Sequence, residues 1–299
     1  MTLTAAPTRT AELVRGYVAL TKPRIIELLL VTTVPAMILA AGGVPPLGKL
    51  GATLVGGTLA AGSANALNCY VDRDIDEVMR RTQRRPLPRR TVSTRGAFLF
   101  AIALGVVATA IMAAGTTLLA TALTVAAIVF YVFGYTLWLK RRTPQNIVWG
   151  GVAGCMPVLI GWSAVTGSLA PAPVILFLIV FFWTPPHFWA LAQRFREDYA
   201  AAGVPMLPAV AGAERVGRHI VGYSWATAAA SVALWPVATS WLYGGSAVVL
   251  GAALLVRAHA LHDRTRQGLP PESMGLFRWS TRYLALLFGA LALDVLLLA

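Results

Sequence analysis

Charge is what this sequence has least of. Only 12% of its 299 residues are charged, against about 25% in an ordinary soluble domain, which excludes a conventional water-soluble fold. Acids are the scarcer sign: 12 Asp and Glu stand against 25 Lys and Arg. Cysteine is nearly absent. Cys69 and Cys155 are the only two, and neither sits in a C-x-x-C-H or zinc-type spacing, so a disulfide framework, covalent haem attachment and a structural zinc site are excluded. No polar linker long enough to separate folded units occurs, and residues 1–299 read as a single transmembrane domain. The first 20 residues lack a charged start followed at once by an apolar core and cleavage site. They read as a short cytoplasmic tail rather than a signal peptide.

What the chain has in abundance is apolar residues, 57% of the total, gathered into runs near twenty residues, the length that crosses a bilayer as a helix. The runs predict an all-α, polytopic, nine-helix bundle. The spans fall at about 25–41, 50–68, 96–114, 117–138, 147–166, 171–192, 219–239, 245–261 and from 282 to the end. Pro185 and Pro186 predict a break or kink near the end of the sixth. Trp241 and Tyr243 read as interface-belt aromatics. Lys49 is the only one of the 25 lysines and arginines in an odd-numbered connection. By the positive-inside rule the N-terminus and the polar loops are then cytoplasmic, and nine spans put the C-terminus outside. A central cavity opens to the cytoplasmic side. The net charge of +13 therefore meets anionic lipid or phosphate, and no basic patch on a soluble nucleic-acid fold is present. The setting is a bacterial inner membrane.

The chemistry concentrates where the second span ends. Asn68, Asp72 and Asp76 stand at i, i+4 and i+8, which stacks them on one helical face. A row of hard oxygen ligands suits Mg²⁺, a cation commonly completed by substrate phosphates. Downstream lie Arg81 and Arg85, the residue type for bidentate phosphate contacts. Lys22, Arg24 and Lys140 sit in flanking basic segments on the same side. The run Asp72-x-Asp74-x-Asp76 also opens like an EF-hand, but that loop needs Gly at its sixth position and Glu at its twelfth. Glu77 and Gln83 stand there instead. A solvated loop that merely anchors the helix is the plainer alternative. Asp198 is either a further metal carboxylate or a salt-bridge partner, and His187, at the end of the Pro-containing sixth span, is either a ligand contact or a structural hydrogen-bonder.

With these motifs the chain resembles the UbiA-type intramembrane prenyltransferases, whose first signature, N-x-x-x-D-x-x-x-D, is matched by Asn68, Asp72 and Asp76. Arg81 and Arg85 match the arginines that follow it. The stretches Leu20–Arg24, Arg85–Pro88, Tyr135–Asn146, Thr184–Leu191 and Asp198–Pro208 resemble the haem-modifying branch in particular. The resemblance implies a nine-helix fold and transfer of farnesyl from farnesyl diphosphate to a vinyl group of haem b, with addition of water. It implies Mg²⁺ on Asn68, Asp72, Asp76 and Asp198, and diphosphate on Lys22, Arg24, Arg81, Arg85 and Lys140. Haem b is the acceptor, His187 a candidate contact to it, and a downstream haem-modifying enzyme a possible partner. The quinone-type members carry a second D-x-x-x-D after the sixth span. Here that region reads Gln193-Arg-Phe-Arg-Glu-Asp198, which matches the haem-modifying branch. Alternatives are a prenyltransferase for another aromatic or tetrapyrrole acceptor, a transporter, and a haem-binding oxidase subunit. A transporter predicts ionisable groups deep in its spans, and an oxidase subunit predicts several intramembrane histidines. The chain offers only Glu27 and Asp294 as acids within spans, each near an end, and four histidines in all.

Overall fold

The computed structural model describes residues 9–298. Its elements are all helical: α1 (Arg9–Thr21), α2 (Pro23–Ala41), α3 (Leu47–Val71), α4 (Arg73–Val78), α5 (Thr94–Gly115) and α6 (Leu118–Val129), the last continued by a π-helical segment, Phe130–Leu139. Then come α7 (Asn146–Thr166), α8 (Pro171–Arg194), α9 (Arg196–Ala201), α10 (Leu207–Val210), α11 (Ala213–Ala233), α12 (Trp235–Ala238), α13 (Trp241–Arg266) and α14 (Ser273–Leu298). Among the described residues, eight helices are long and apolar enough to cross a membrane: α2, α5, α6 with its π segment, α7, α8, α11 with α12, α13 and α14. The chain is a multi-pass membrane protein. At 25 residues α3 is also long enough, but its Gly, Ser, Thr and Asn content keeps it outside that set. Those small residues let α3 lie close along α5. Ser63 Oγ donates to Ala101 O at 2.7 Å, and Gly56 sits against Met112.

Several local expectations change. Residues 9–21, most of the stretch read as a short tail, form a helix, with Leu20 fully buried and Gly16 pressed against Val92 and Pro86; residues 1–8 lie outside the described residues. Helix α8 runs through Pro185 and Pro186 without a break, leaving the carbonyls of Phe181 and Phe182 without the N–H they would ordinarily receive. The charged ends assigned to loops are helical: α13 continues to Arg266 and α14 begins at Ser273. Trp241 is exposed, as a belt residue should be. Tyr243, however, is buried and its hydroxyl donates to Ser231 O at 3.1 Å, because its neighbour Ser240 starts α13 against α14.

That start is held from another helix. Asp294 of α14 is buried, and it accepts from the N–H of Ser240 at 2.8 Å, from Ser240 Oγ at 2.6 Å and from the N–H of Tyr243 at 2.9 Å. A carboxylate on unpaired amides at a helix N-terminus is electrostatically favourable. The acid at this end of the bundle is thus a structural cap.

Candidate active site

The site begins where α3 gives way to α4. The turn at Asp72 keeps helical bonding: Asp72 N–H donates to Asn68 O at 2.9 Å and Asp76 N–H to Asp72 O at 2.8 Å. The three side chains therefore stack as their spacing predicts. Asn68 Nδ2 donates to Asp72 Oδ2 at 2.7 Å. All three are buried, Asp72 completely.

Two cations from distant stretches of the chain, and one from the loop that follows, close over this row. Lys22 Nζ donates to Asn68 Oδ1 at 2.7 Å. Lys140 Nζ donates to Asp72 Oδ2, and Arg85 Nη1 lies against both oxygens of Asp76. Lys22 holds a left-handed backbone, φ 54°, at the junction of α1 and α2. Burial pushes its ammonium down to about 8; Cys69 and Asp76 work the other way, and Arg85 and Lys140 add to the lowering. Burial opposes the charge of Arg85 too, but Asp76 beside it prevails and its pKa is raised.

Two participants are absent from the sequence-derived site set, although both fall in the Tyr135–Asn146 stretch that carries the resemblance. Thr136, on the π-helical segment, accepts from Asn68 Nδ2 at 3.1 Å and donates to Tyr131 O. Arg141 binds both oxygens of Asp74, at 2.7 and 2.8 Å. That pairing holds Asp74 down to about 2. A π-helical stretch inside an α-helix is often found at functional sites; this one presents Tyr131, Thr136 and, at its end, Lys140 to the same cluster.

Other predicted site residues lie elsewhere. Arg24 is exposed and, among the described residues, makes no contact with the acid row. Asp198 meets the basic loop instead, where its Oδ2 accepts from the backbone N–H of Arg81 at 3.3 Å. The Arg81 guanidinium lies over the Phe195 ring, 5.7 Å from its centroid. His187 sits between two rings, 4.2 Å from Trp183 and 4.6 Å from Phe277, with Nδ1 2.8 Å from Ser280 Oγ.

Asp72 Oδ1 is buried and accepts no hydrogen bond; Arg141 Nη2 lies 3.7 Å from it, an ion-pair distance. A bare hard oxygen, with Asp76 and the Asn68 amide beside it, fits a small divalent cation that completes its shell from substrate oxygens. Among the described residues no three His, Cys, Asp or Glu side chains converge as a full protein cage.

Next to the row an apolar cavity, with an empty volume ≈ 860 Å³, runs between α2, α3, α6 with its π segment, and α7. Asn65, one turn before Asn68, and Tyr131 line its polar end; Ile26, Leu29, Gly57 and Ile128 line its length. From Thr53 to Asn65 it follows α3 for about 18 Å at 1.5 Å per residue. A cluster of acids and cations at the mouth of an apolar tunnel suits a molecule with a polyanionic head and a hydrocarbon tail.

The comparisons agree. The model of the UbiA prenyltransferase family matches residues 29–281. Among similar proteins, the Protoheme IX farnesyltransferase of Frankia alni is 60% identical over 282 residues, covering 94% of this chain and 98% of the relative. Protoheme IX farnesyltransferase 1 of Saccharopolyspora erythraea is 59% identical over 279 residues, covering 93% and 89%. The fold is shared with digeranylgeranylglyceryl phosphate synthase, with a TM-score of 0.77 at 14% identity over 95% of this chain and 99% of the other. It is also shared with a UbiA homolog from Archaeoglobus fulgidus bound to GPP and Mg²⁺, with a TM-score of 0.67 at 17% identity over 92% and 99%. The acid row, the cations paired to it and the family match together place the chain: it belongs to the UbiA prenyltransferase family.

Proposed function

We propose that this protein transfers farnesyl from farnesyl diphosphate to a vinyl group of haem b, with addition of water, giving haem O and diphosphate. Two relatives close to 60% identical carry the name protoheme IX farnesyltransferase. The observation within the molecule that carries the reading is the apolar cavity ending at Tyr131 and Asn65 beside the buried acid row.

Lys22, Arg85 and Lys140 bind the diphosphate oxygens, with Arg81 and Arg24 on the approach. Asn68, Asp72 and Asp76 would hold Mg²⁺, and Asp198, on the Arg81 backbone, would be a further carboxylate beside the basic loop. When bound, Mg²⁺ supplies positive charge toward the leaving diphosphate. Lys140 and Arg85, paired with Asp72 and Asp76, would turn to phosphate oxygens if those carboxylates held a divalent cation, so the positive charge needed as the C–O bond breaks is already gathered at the site. The cavity wall keeps water from the allylic cation, and the Tyr131 ring offers it a π face. His187 stands as a candidate contact to haem. The nine-span topology follows if α3 crosses with the other eight; the N-terminus and the site then face the cytoplasm and the C-terminus lies outside, in a bacterial inner membrane.

Purified protein in detergent, given haem b, farnesyl diphosphate and Mg²⁺, should yield a haem heavier by farnesyl plus water, and EDTA should abolish the product. Unchanged haem from folded protein that still binds farnesyl diphosphate would redirect the search to other aromatic or tetrapyrrole acceptors.

A further inference from the structure

A second cavity, with an empty volume ≈ 700 Å³, opens where the start of α7 and the end of α8 meet α10 and α11. Leu207 and Val210 give it an apolar side, Gln145 a rim, and Arg215, His219 and Trp189 a polar side. Trp189 is 2% exposed, and its Nε1–H finds no acceptor among the described residues. A buried donor left unpaired is costly and usually marks an absent partner. The ring is held in place by edge-on contacts to His219 at 5.9 Å and Tyr223 at 5.6 Å. Arg215 has no carboxylate within ion-pair distance among the described residues, because Glu214 pairs with Arg218 at 3.6 Å. An indole N–H, a guanidinium and an imidazole around one cavity, with no acid on its wall, make an anion site.

The cavity wall is tied to the acid row through one residue beside Gln145. Asn146, next to Gln145, donates Nδ2 to Lys140 O at 3.2 Å, and Lys140 holds Asp72. Asn146 Oδ1 is itself buried without a donor. Three stretches that carry the resemblance to the haem-modifying branch meet on its wall, through Gln145, Trp189 and Leu207.

We propose that this cavity binds a carboxylate side arm of the tetrapyrrole acceptor, taken by Trp189 Nε1–H and the Arg215 guanidinium, with Leu207 and Val210 against the macrocycle edge. It rests on the acceptor reading above. Its commitment is to one ligand chemistry, a propionate on an apolar ring, and it makes Trp189 and Arg215 specificity residues for the acceptor.

The test is an absorbance titration of the detergent-solubilised protein with haem b and with its dimethyl ester, beside a farnesyl diphosphate titration as a check of folding. The protein should bind haem b about tenfold more tightly than the ester, the worth of one charge-assisted hydrogen bond. Trp189→Phe and Arg215→Gln should each erase that preference while keeping ester and farnesyl diphosphate affinities. Arg215 is exposed, so its replacement tests the idea even if Trp189→Phe fails to fold. Unchanged haem preference in both variants overturns the proposal. So does displacement of haem b by phosphatidylglycerol micelles, through Arg215 and equally for acid and ester, which would mark a lipid-phosphate site. If the unmodified protein binds farnesyl diphosphate but neither tetrapyrrole, the acceptor reading itself falls.

Discussion

Arg85 Nη1 lies 2.8 Å from Asp76 Oδ1 and 2.7 Å from Asp76 Oδ2, so one nitrogen serves both oxygens of a carboxylate that is 2% exposed. Breaking a buried pair from one side costs roughly 3–5 kcal/mol when both partners are dry. The Arg85 side chain is 23% exposed, which puts the expectation nearer about 2 kcal/mol. Arg85→Ala should therefore lower thermal stability and raise KM for farnesyl diphosphate at least about tenfold, while Arg85→Lys keeps some of both. Asp72→Ala and Asp76→Ala should cut kcat by about a hundredfold or more in protein that still folds, though each loses an ion pair and unfolds earlier on heating. Normal turnover in both aspartate variants would remove the acid row from the chemistry.

Lys22 combines an ammonium that donates to Asn68 with a backbone that glycine would prefer. Its left-handed φ of 54° costs a non-glycine residue roughly 1–2 kcal/mol. Lys22→Gly and Lys22→Ala both lose the contact to Asn68, so both should weaken farnesyl diphosphate binding about tenfold. Their stabilities should differ, the glycine variant unfolding later on heating. An alanine variant as stable as the glycine one would show that this turn stores no strain.

Gly57 lines the apolar cavity, and a Cβ built there meets nothing within 4 Å. Gly57→Phe should accordingly fold and fill the tunnel. The expected result is a shift of kcat/KM from farnesyl toward geranyl diphosphate by about tenfold or more, from losing the burial of several methylene groups. Equal use of farnesyl diphosphate by the variant would place the tail elsewhere.

Asp294 gives the opposite pattern, stability without chemistry. Replacing it with Ala strands the N–H groups of Ser240 and Tyr243, at a cost of about 1–3 kcal/mol. Thermal inactivation in detergent should come several degrees earlier, with KM for both substrates unchanged. A changed KM at full stability would show that the cap influences the site.

Much of this protein is written locally. Low charge and twenty-residue apolar runs dictate a helical membrane bundle, because a bilayer accepts little else. The spacing of Asn68, Asp72 and Asp76 dictates their stacking, since helical geometry needs no other segment of the chain. The sidedness of the basic loops is likewise a property of order along the sequence.

Tertiary structure decided the rest. Which cation meets which carboxylate depends on approaches across long separations. Lys140 reaches Asp72 over 68 residues, Asp198 is drawn to the Arg81 backbone over 117, and Arg24 is left outside. Thr136 and Tyr131 enter the site because the helix carrying them widens to π geometry, which hydropathy does not register. Tyr243 is buried rather than interfacial because Asp294, 51 residues away, holds its backbone. Apolar burial is encoded by composition and period; the pairing of buried polar groups is set by which helices come to lie side by side, and only the folded bundle specifies that.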